Sequence, residues 1–211
     1  RGAFRLSMTE GFQPKPRIGF PSALALGVEG LDEVVEIELA EELTPQEVLG
    51  RLRADNQPGL IVHRVCKLPD AFGKAQLQRS DYTISVIESA DRSQVQSAIE
   101  RLLAQEFATV ERKKKPMKVE VAAQILRLQL LEDTLLLSLA ASESASLRPG
   151  DVLDLLGLGD WIELGSHITR VGVVLQKDFD DNDPNRAAVA SRSELTSPGS
   201  DSTTNQADHQ A

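Results

Sequence analysis

What this 211-residue chain lacks narrows its chemistry before any motif is sought. Cys66 is the only cysteine, which excludes an internal disulfide framework and any multi-cysteine metal or iron–sulfur site. It lies in an apolar run and reads as a small buried hydrophobe. Aromatics make up 4% of the chain, with one Trp and one Tyr, so the core has to be aliphatic. For the same reason no strand carries the alternating aromatics on which RNA bases stack. The histidines, His63, His167 and His209, show no metal-ligand spacing. No nucleophile elbow, P-loop or dinucleotide fingerprint follows a predicted strand. Glu36/Glu38 and Glu41/Glu42 read as solvated pairs rather than catalytic ones, so an independent enzyme is not expected. Runs of about eighteen apolar residues are missing, as is a signal-peptide pattern. A cytoplasmic protein with no membrane contact is the expectation.

What is present is an ordinary globular composition, 41% hydrophobic and 26% charged, with a net charge of −9. The acidity is uneven. Asp178 to Ala211 holds seven acids against two arginines and almost no apolar residue in series. Such a stretch cannot bury enough surface to offset ordering entropy, so a disordered acidic tail is expected over 178–211.

The densest local pattern is Glu10–Gly30, EGFQPKPRIGFPSALALGVEG. Gly11 breaks a short strand over Ala3–Met8, and Pro14 and Pro16 hold Gln13 and Lys15 extended. Ile18 and Phe20 then alternate as in a half-buried strand. Glu33–Leu39 alternates again, with Val35, Ile37 and Leu39 on one face. Thr44, Pro45 and Glu47 form a capping box with proline at the first helical position, ahead of a stripe of Val48, Leu49 and Leu52. Leu60–Lys67 reads as the next strand. The chain starts at Arg1 in mid-pattern and is read as lacking an upstream strand and helix; restoring them gives a βαββαβ order.

After a connector the pattern repeats: a strand over Tyr82–Ile87, an amphipathic helix over Ser93–Glu106, and strands at Phe107–Arg112 and Met117–Val121. Strands then follow with Leu126, Leu128 and Leu130 on one face and over Leu135–Leu139. Pro149 opens a short helix with Val152, Leu153 and Leu156, and Ile168–Leu175 closes the half. The expected fold is therefore α+β. Two ferredoxin-like halves with antiparallel sheets occupy 1–68 and 81–177, joined by a connector at 69–80 and followed by the tail.

Two basic features are the candidate binding residues. In the opening loop, Gly11, Phe12, Pro14, Lys15, Pro16 and Arg17 form a rigid ridge with Lys15 and Arg17 at its crest. At a later strand end, Arg112, Lys113, Lys114, Lys115 and Lys118 surround Pro116. Either cluster suits phosphate contacts, and a solvated hairpin tip is the simpler reading of the second. No catalytic residue, metal ligand or cofactor of the chain's own is expected.

The run from Glu10 to Phe20, followed by Leu24–Glu29, resembles the signature of the bacterial radical SAM-linked protein family, an uncharacterised group. Glu111–Lys115 (ERKKK), Ser146–Pro149 (SLRP) and Thr169–Gly172 (TRVG) fit the same family, so the resemblance spans Arg1 to about Leu175. Gln13 and Lys15 stand where the family usually has Asn and His, and Val119–Ala123 lacks its acidic-arginine-proline pattern. Members accompany, or are fused to, a radical SAM protein with a cobalamin-type domain, and a link to RNA modification or processing is suggested for them. A radical SAM cluster needs three cysteinates, so this chain is not that enzyme. The resemblance implies an accessory or substrate-presenting module for a radical SAM protein, with RNA as a further contact. Two alternatives stay open: a structural protein–protein module without nucleic acid, and an RNA-modifying transferase or nuclease working through Glu10 and Arg17.

Overall fold

In the computed structural model, residues 4–55, 57–69, 72–112, 115–142 and 146–177 are described, all within Arg1–Asp178, one of the two units into which the chain divides. The expected tail lies outside them. The fold is mixed α+β, with four helices and a five-stranded sheet among the described residues. In spatial order the sheet is β2 (Val28–Gly30), β9 (Ile168–Leu175), β4 (Leu77–Ser85), β8 (Thr134–Ala140) and β7 (Ile125–Leu131). β2 runs parallel to β9 and every other neighbour is antiparallel. The sheet is thus mixed rather than antiparallel as expected.

From β4 the chain forms α2 (Arg92–Leu103), then a separate hairpin of β5 (Phe107–Arg112) and β6 (Lys115–Glu120). A four-residue turn of helix, α3 (Val121–Gln124), leads into β7 and β8. α4 (Pro149–Leu156) then crosses to β9. Leu135, Leu137 and Leu139 alternate along β8 and are fully buried, opposite Ile84, Tyr82 and Ser80 of β4. Over this face lies the apolar stripe of α2, Val95, Ala98, Ile99 and Leu102, whose spacing of three and four residues is that of one helix side. Asp91 starts α2 by accepting from the Ser93 and Gln94 amides at 2.9 and 3.2 Å. α4 adds Val152, Leu153 and Leu156 and ends at Gly157, whose φ of 74° is left-handed backbone that glycine adopts without strain.

The expected face of β7 needs correcting. A register shift between Ile125 and Arg127 leaves Ile125 and Leu128 buried and turns Leu126 to solvent. A bulge moves side chains to the other face, and simple alternation cannot anticipate it.

The first seventy residues depart further from expectation. β1 (Ile18–Gly19) pairs with β3 (Glu36–Ile37), with isolated bridges joining Leu6 to Leu39 and Met8 to Pro16. In β3 it is Glu36 that turns inward, accepting from the Ala75 amide at 2.8 Å, while Val35 and Ile37 are exposed. α1 (Pro45–Ala54) carries the expected box: Thr44 N donates to Glu47 Oε2 at 2.8 Å and Glu47 N to Thr44 Oγ1 at 3.2 Å. The hydrogen bonds that the Thr44 backbone N–H and then its hydroxyl donate to Glu47 Oε2 hold the Glu47 carboxyl below the usual glutamate range. Leu60–Lys67 forms no strand. Arg53 takes the Val62 and His63 carbonyls at 3.3 and 3.4 Å, so these acceptors find a guanidinium rather than a ladder. Cys66 is exposed, not buried. This stretch builds no sheet of its own like that of β4 to β9; its β2 joins that one.

What fastens it there is Arg170, on β9 and only 2% exposed. A bulge opposite Asp81 and Tyr82 sets Arg170 beside Tyr82, on the helix-covered face with Ile168. Its Nε donates to Glu33 Oε1 at 2.7 Å and its Nη2 to Glu33 Oε2. Nη1 and Nη2 also reach Ser22 Oγ at 2.8 Å, Ser22 O at 3.0 Å and Ala23 O at 3.5 Å. The Glu33 hydrogen bonds raise the arginine's pKa above its ordinary value against the opposing effect of burial, with Tyr82 adding to the rise.

Two outcomes follow for urea unfolding. Leu137→Ala should cost about 3 kcal/mol, whereas Leu126→Ala should cost no more than about 0.5 kcal/mol; equal losses would contradict the bulge. Glu33→Gln should lose about 2 kcal/mol, because it leaves the Arg170 charge buried with a weaker partner; an unchanged midpoint would show that the pair holds nothing.

Candidate functional site

The opening ridge is built as a closed loop. Thr9 N donates to Lys15 O at 2.8 Å and Lys15 N to Thr9 Oγ1 at 3.0 Å, while Gly11 turns the chain at φ 128°. Phe12 is completely exposed, and Pro14, Lys15 and Pro16 stand in solvent. Arg17 does not. Its Nε donates to Met8 O at 3.3 Å and its Nη1 pairs with Glu38 at 3.1 Å across the small sheet. Arg17 therefore braces the ridge rather than crowning it, and its partners do not include Glu10.

The second cluster divides as well. Lys113 and Lys114 lie outside the described residues. Lys115 is exposed, and the Lys118 ammonium sits 3.7 Å from the centroid of the Phe107 ring on the paired strand, a cation–π contact. Arg112 turns inward. Its Nη2 donates to Ser146 O at 2.6 Å and ion-pairs with Asp151, in the first turn of α4. Asp151 also accepts from Arg148 N at 2.7 Å, so one carboxylate caps the helix and anchors the arginine.

Arg112 forms one wall of a cleft of about 420 Å³ that sequence reasoning did not anticipate. The cleft lies over the helix-side face of the sheet at Ser80, Tyr82 and Leu139. Ser22–Ala25, Ser146–Pro149 and Arg170 complete it. Four of the stretches that carry the family resemblance thus meet here: Leu24–Glu29, Glu111–Lys115, Ser146–Pro149 and Thr169–Gly172. One signal was available in the sequence. Arg170 shares the face of Ile168 in an otherwise apolar strand, and a charge at such a position requires dedicated partners. The lining holds three arginines, Arg112, Arg148 and Arg170, and no acidic side chain. Arg170 is saturated by the Glu33 and Ser22–Ala23 contacts and serves as scaffold. Arg148 is exposed at the helix entrance. Two buried polar atoms beside the cleft lack a hydrogen-bond partner, Ser80 Oγ and Arg112 Nε.

Other chemistry is sparse. Among the described residues no group of three or more His, Cys, Asp or Glu side chains is placed to hold a metal ion. His63 and His167 are exposed and far apart in the chain, and His209 lies outside the described residues. No helix among the described residues is long and apolar enough to cross a membrane.

Comparison with curated proteins and with solved structures gives no match. Residues 1–149 match the model of a family described as an uncharacterized protein conserved in bacteria (DUF2344), and the chain belongs to that family.

Proposed function

We propose that this chain is an accessory module that docks on a radical SAM protein of the cobalamin type and presents substrate to it. The partner comes from the sequence resemblance, and the observation that carries the docking is the distribution of apolar surface. Eleven of the seventeen large hydrophobic side chains exposed among the described residues lie between Met8 and Ile61. In the same stretch only Val48 is a buried hydrophobe. Phe12 and Leu26 are as exposed as in an extended chain, at 101% and 105%. Apolar surface concentrated in this one stretch of the chain supports reading the stretch as partner-binding. The βαββαβ path from β4 to β9, with β5 and β6 as an inserted hairpin, supports reading 77–175 as a ferredoxin-like plait that carries this face.

Contact with RNA is the lesser part of the reading. Of the cations expected to grip phosphates, Arg17 and Arg112 are engaged with Glu38 and Asp151, which leaves Lys15, Lys115 and Lys118 among the described residues. Arginines already held in ion pairs are less available to phosphates, which supports docking by apolar contact over a nucleic-acid groove.

The test is co-purification with a radical SAM protein of the cobalamin type, the partner that the resemblance implies. Phe12→Ser and Leu26→Ser should each weaken the complex about tenfold or more with an unchanged melting temperature, since neither side chain is buried in the free protein. Lys15→Glu combined with Lys118→Glu should leave it intact. A complex that resists the apolar variants but dissolves with the lysine variants or with nuclease would replace docking by RNA bridging.

A further inference from the structure

We propose that the open edge of β7 pairs antiparallel with β7 of a second copy of this chain, giving a two-fold dimer. The inference does not rest on the docking reading, whose residues lie between Met8 and Ile61. β7 ends one side of the five-stranded sheet and is paired with β8 alone. The register decides which of its backbone groups are left over. Leu131 and Thr134 flank the two-residue turn Glu132–Asp133, so they exchange ladder bonds, as do Gln129 with Leu136 and Arg127 with Ser138. The N–H and C=O groups of Leu128 and Leu130 therefore point away from β8, along the open edge. Edge strands guard such groups with proline, lysine, a very short length or a bulge. β7 has seven residues, no proline, no lysine and Arg127 as its one charge, and its bulge is confined to the Ile125–Arg127 end.

The chain itself supplies the complement to this edge. Charge runs along it from Arg127 to the acidic turn at Glu132 and Asp133. Arg127 Nη2 donates to Gln129 Oε1 at 3.0 Å and to no carboxylate among the described residues. Asp133 is balanced by Arg92, which also donates to Glu132 O at 3.0 Å and so fixes the turn. The Glu132 carboxylate has no ion pair among the described residues and is exposed. An edge that is positive at its start and negative at its end matches itself when antiparallel, whereas a parallel copy would set like against like. The register follows from the free groups. Centred on Gln129, the pairing sets Leu128 of each copy opposite Leu130 of the other, and each such pair exchanges two backbone bonds. Centring it on Leu128 would need the bulged Leu126, and centring it on Leu130 would need the turn residue Glu132, whose carbonyl Arg92 already occupies. In the favoured register Arg127 faces Leu131 of the other copy, one residue from its Glu132. The same patch serves both chains, so the assembly closes at two.

The experiment is sedimentation equilibrium of the full chain from about 1 to about 300 µM, a range that spans weak self-association. A monomer–dimer equilibrium is expected. Arg127→Glu and Glu132→Lys should each weaken the dimer about tenfold, by setting like charges together. Combined in one chain they should restore it to within about threefold, because the reversed charges match again. Both positions are exposed, so neither substitution should move the melting temperature. Hydrogen exchange locates the contact. The amides of Leu128 and Leu130 should exchange at least about tenfold more slowly in concentrated than in dilute protein, while those of Arg127 and Gln129, already bonded to β8, stay as they are. Three results would each overturn the proposal: a monomer throughout the range, a charge-swapped chain that does not recover the dimer, or Leu128 and Leu130 amides indifferent to concentration. A dimer abolished by Phe12→Ser or Leu26→Ser, yet untouched by Arg127→Glu, would also overturn it, by moving the contact to the apolar stretch.

Discussion

A guanidinium removed from water in the middle of a sheet has to be given partners, and in this protein that requirement organises the first third of the chain. Arg170 stands on β9 between β2 and β4, and its donors reach Glu33 and the Ser22–Ala23 backbone. The segment they hold has almost no apolar core, with Val48 its one fully buried hydrophobe. A three-residue ladder, β2 on β9, and the amide of Leu31 on Arg170 O at 2.9 Å are the remaining ties to the sheet. A buried ion pair of this kind adds little net stability over a hydrophobic pair, but it specifies one arrangement, because any other would strand the charge.

That arrangement has two consequences. Holding Ser22–Ala25 above the sheet, ahead of α4, encloses the cleft, and Phe12, Phe20, Leu24, Leu26 and Leu31 of the first third are left facing solvent. The arginines are sorted by the same packing. Arg17, Arg112 and Arg170 serve as braces with Glu38, Asp151 and Glu33, while Arg148 keeps an uncompensated charge at the cleft. Counting positive charges along the chain overstates the surface available to a polyanion, because arginine is the residue best suited to internal forks.

The elements legible in the sequence are those whose signals are local. Leu135, Leu137 and Leu139 alternate in a strand and are buried; Ile168–Leu175 is a strand over the span expected; Thr44, Pro45 and Glu47 start α1 as their types dictate. The misses are those where a partner decides. Leu60–Lys67 has strand composition, but a strand forms only against another strand, and Arg53 meets its carbonyls instead. Leu126 follows a bulge, which no alternation reveals. Cys66 was read as buried from its apolar neighbours, in a stretch that has no core to bury it. Of the site, the candidate residues found were those dense in sequence. The cleft draws three residues from β4, two from β8, single residues from β2, β5 and β9, and two loops, and such convergence exists only after folding.

Native-state hydrogen exchange tests the central claim most directly, by comparing the protein with its Arg170→Gln variant. The account predicts that the amides of Val28 and Leu31 lose protection in the variant while those of Ile84 and Leu137 keep theirs, since the clamp holds one segment to an otherwise self-sufficient sheet. Protection at Val28 and Leu31 that is unchanged by the substitution would contradict it.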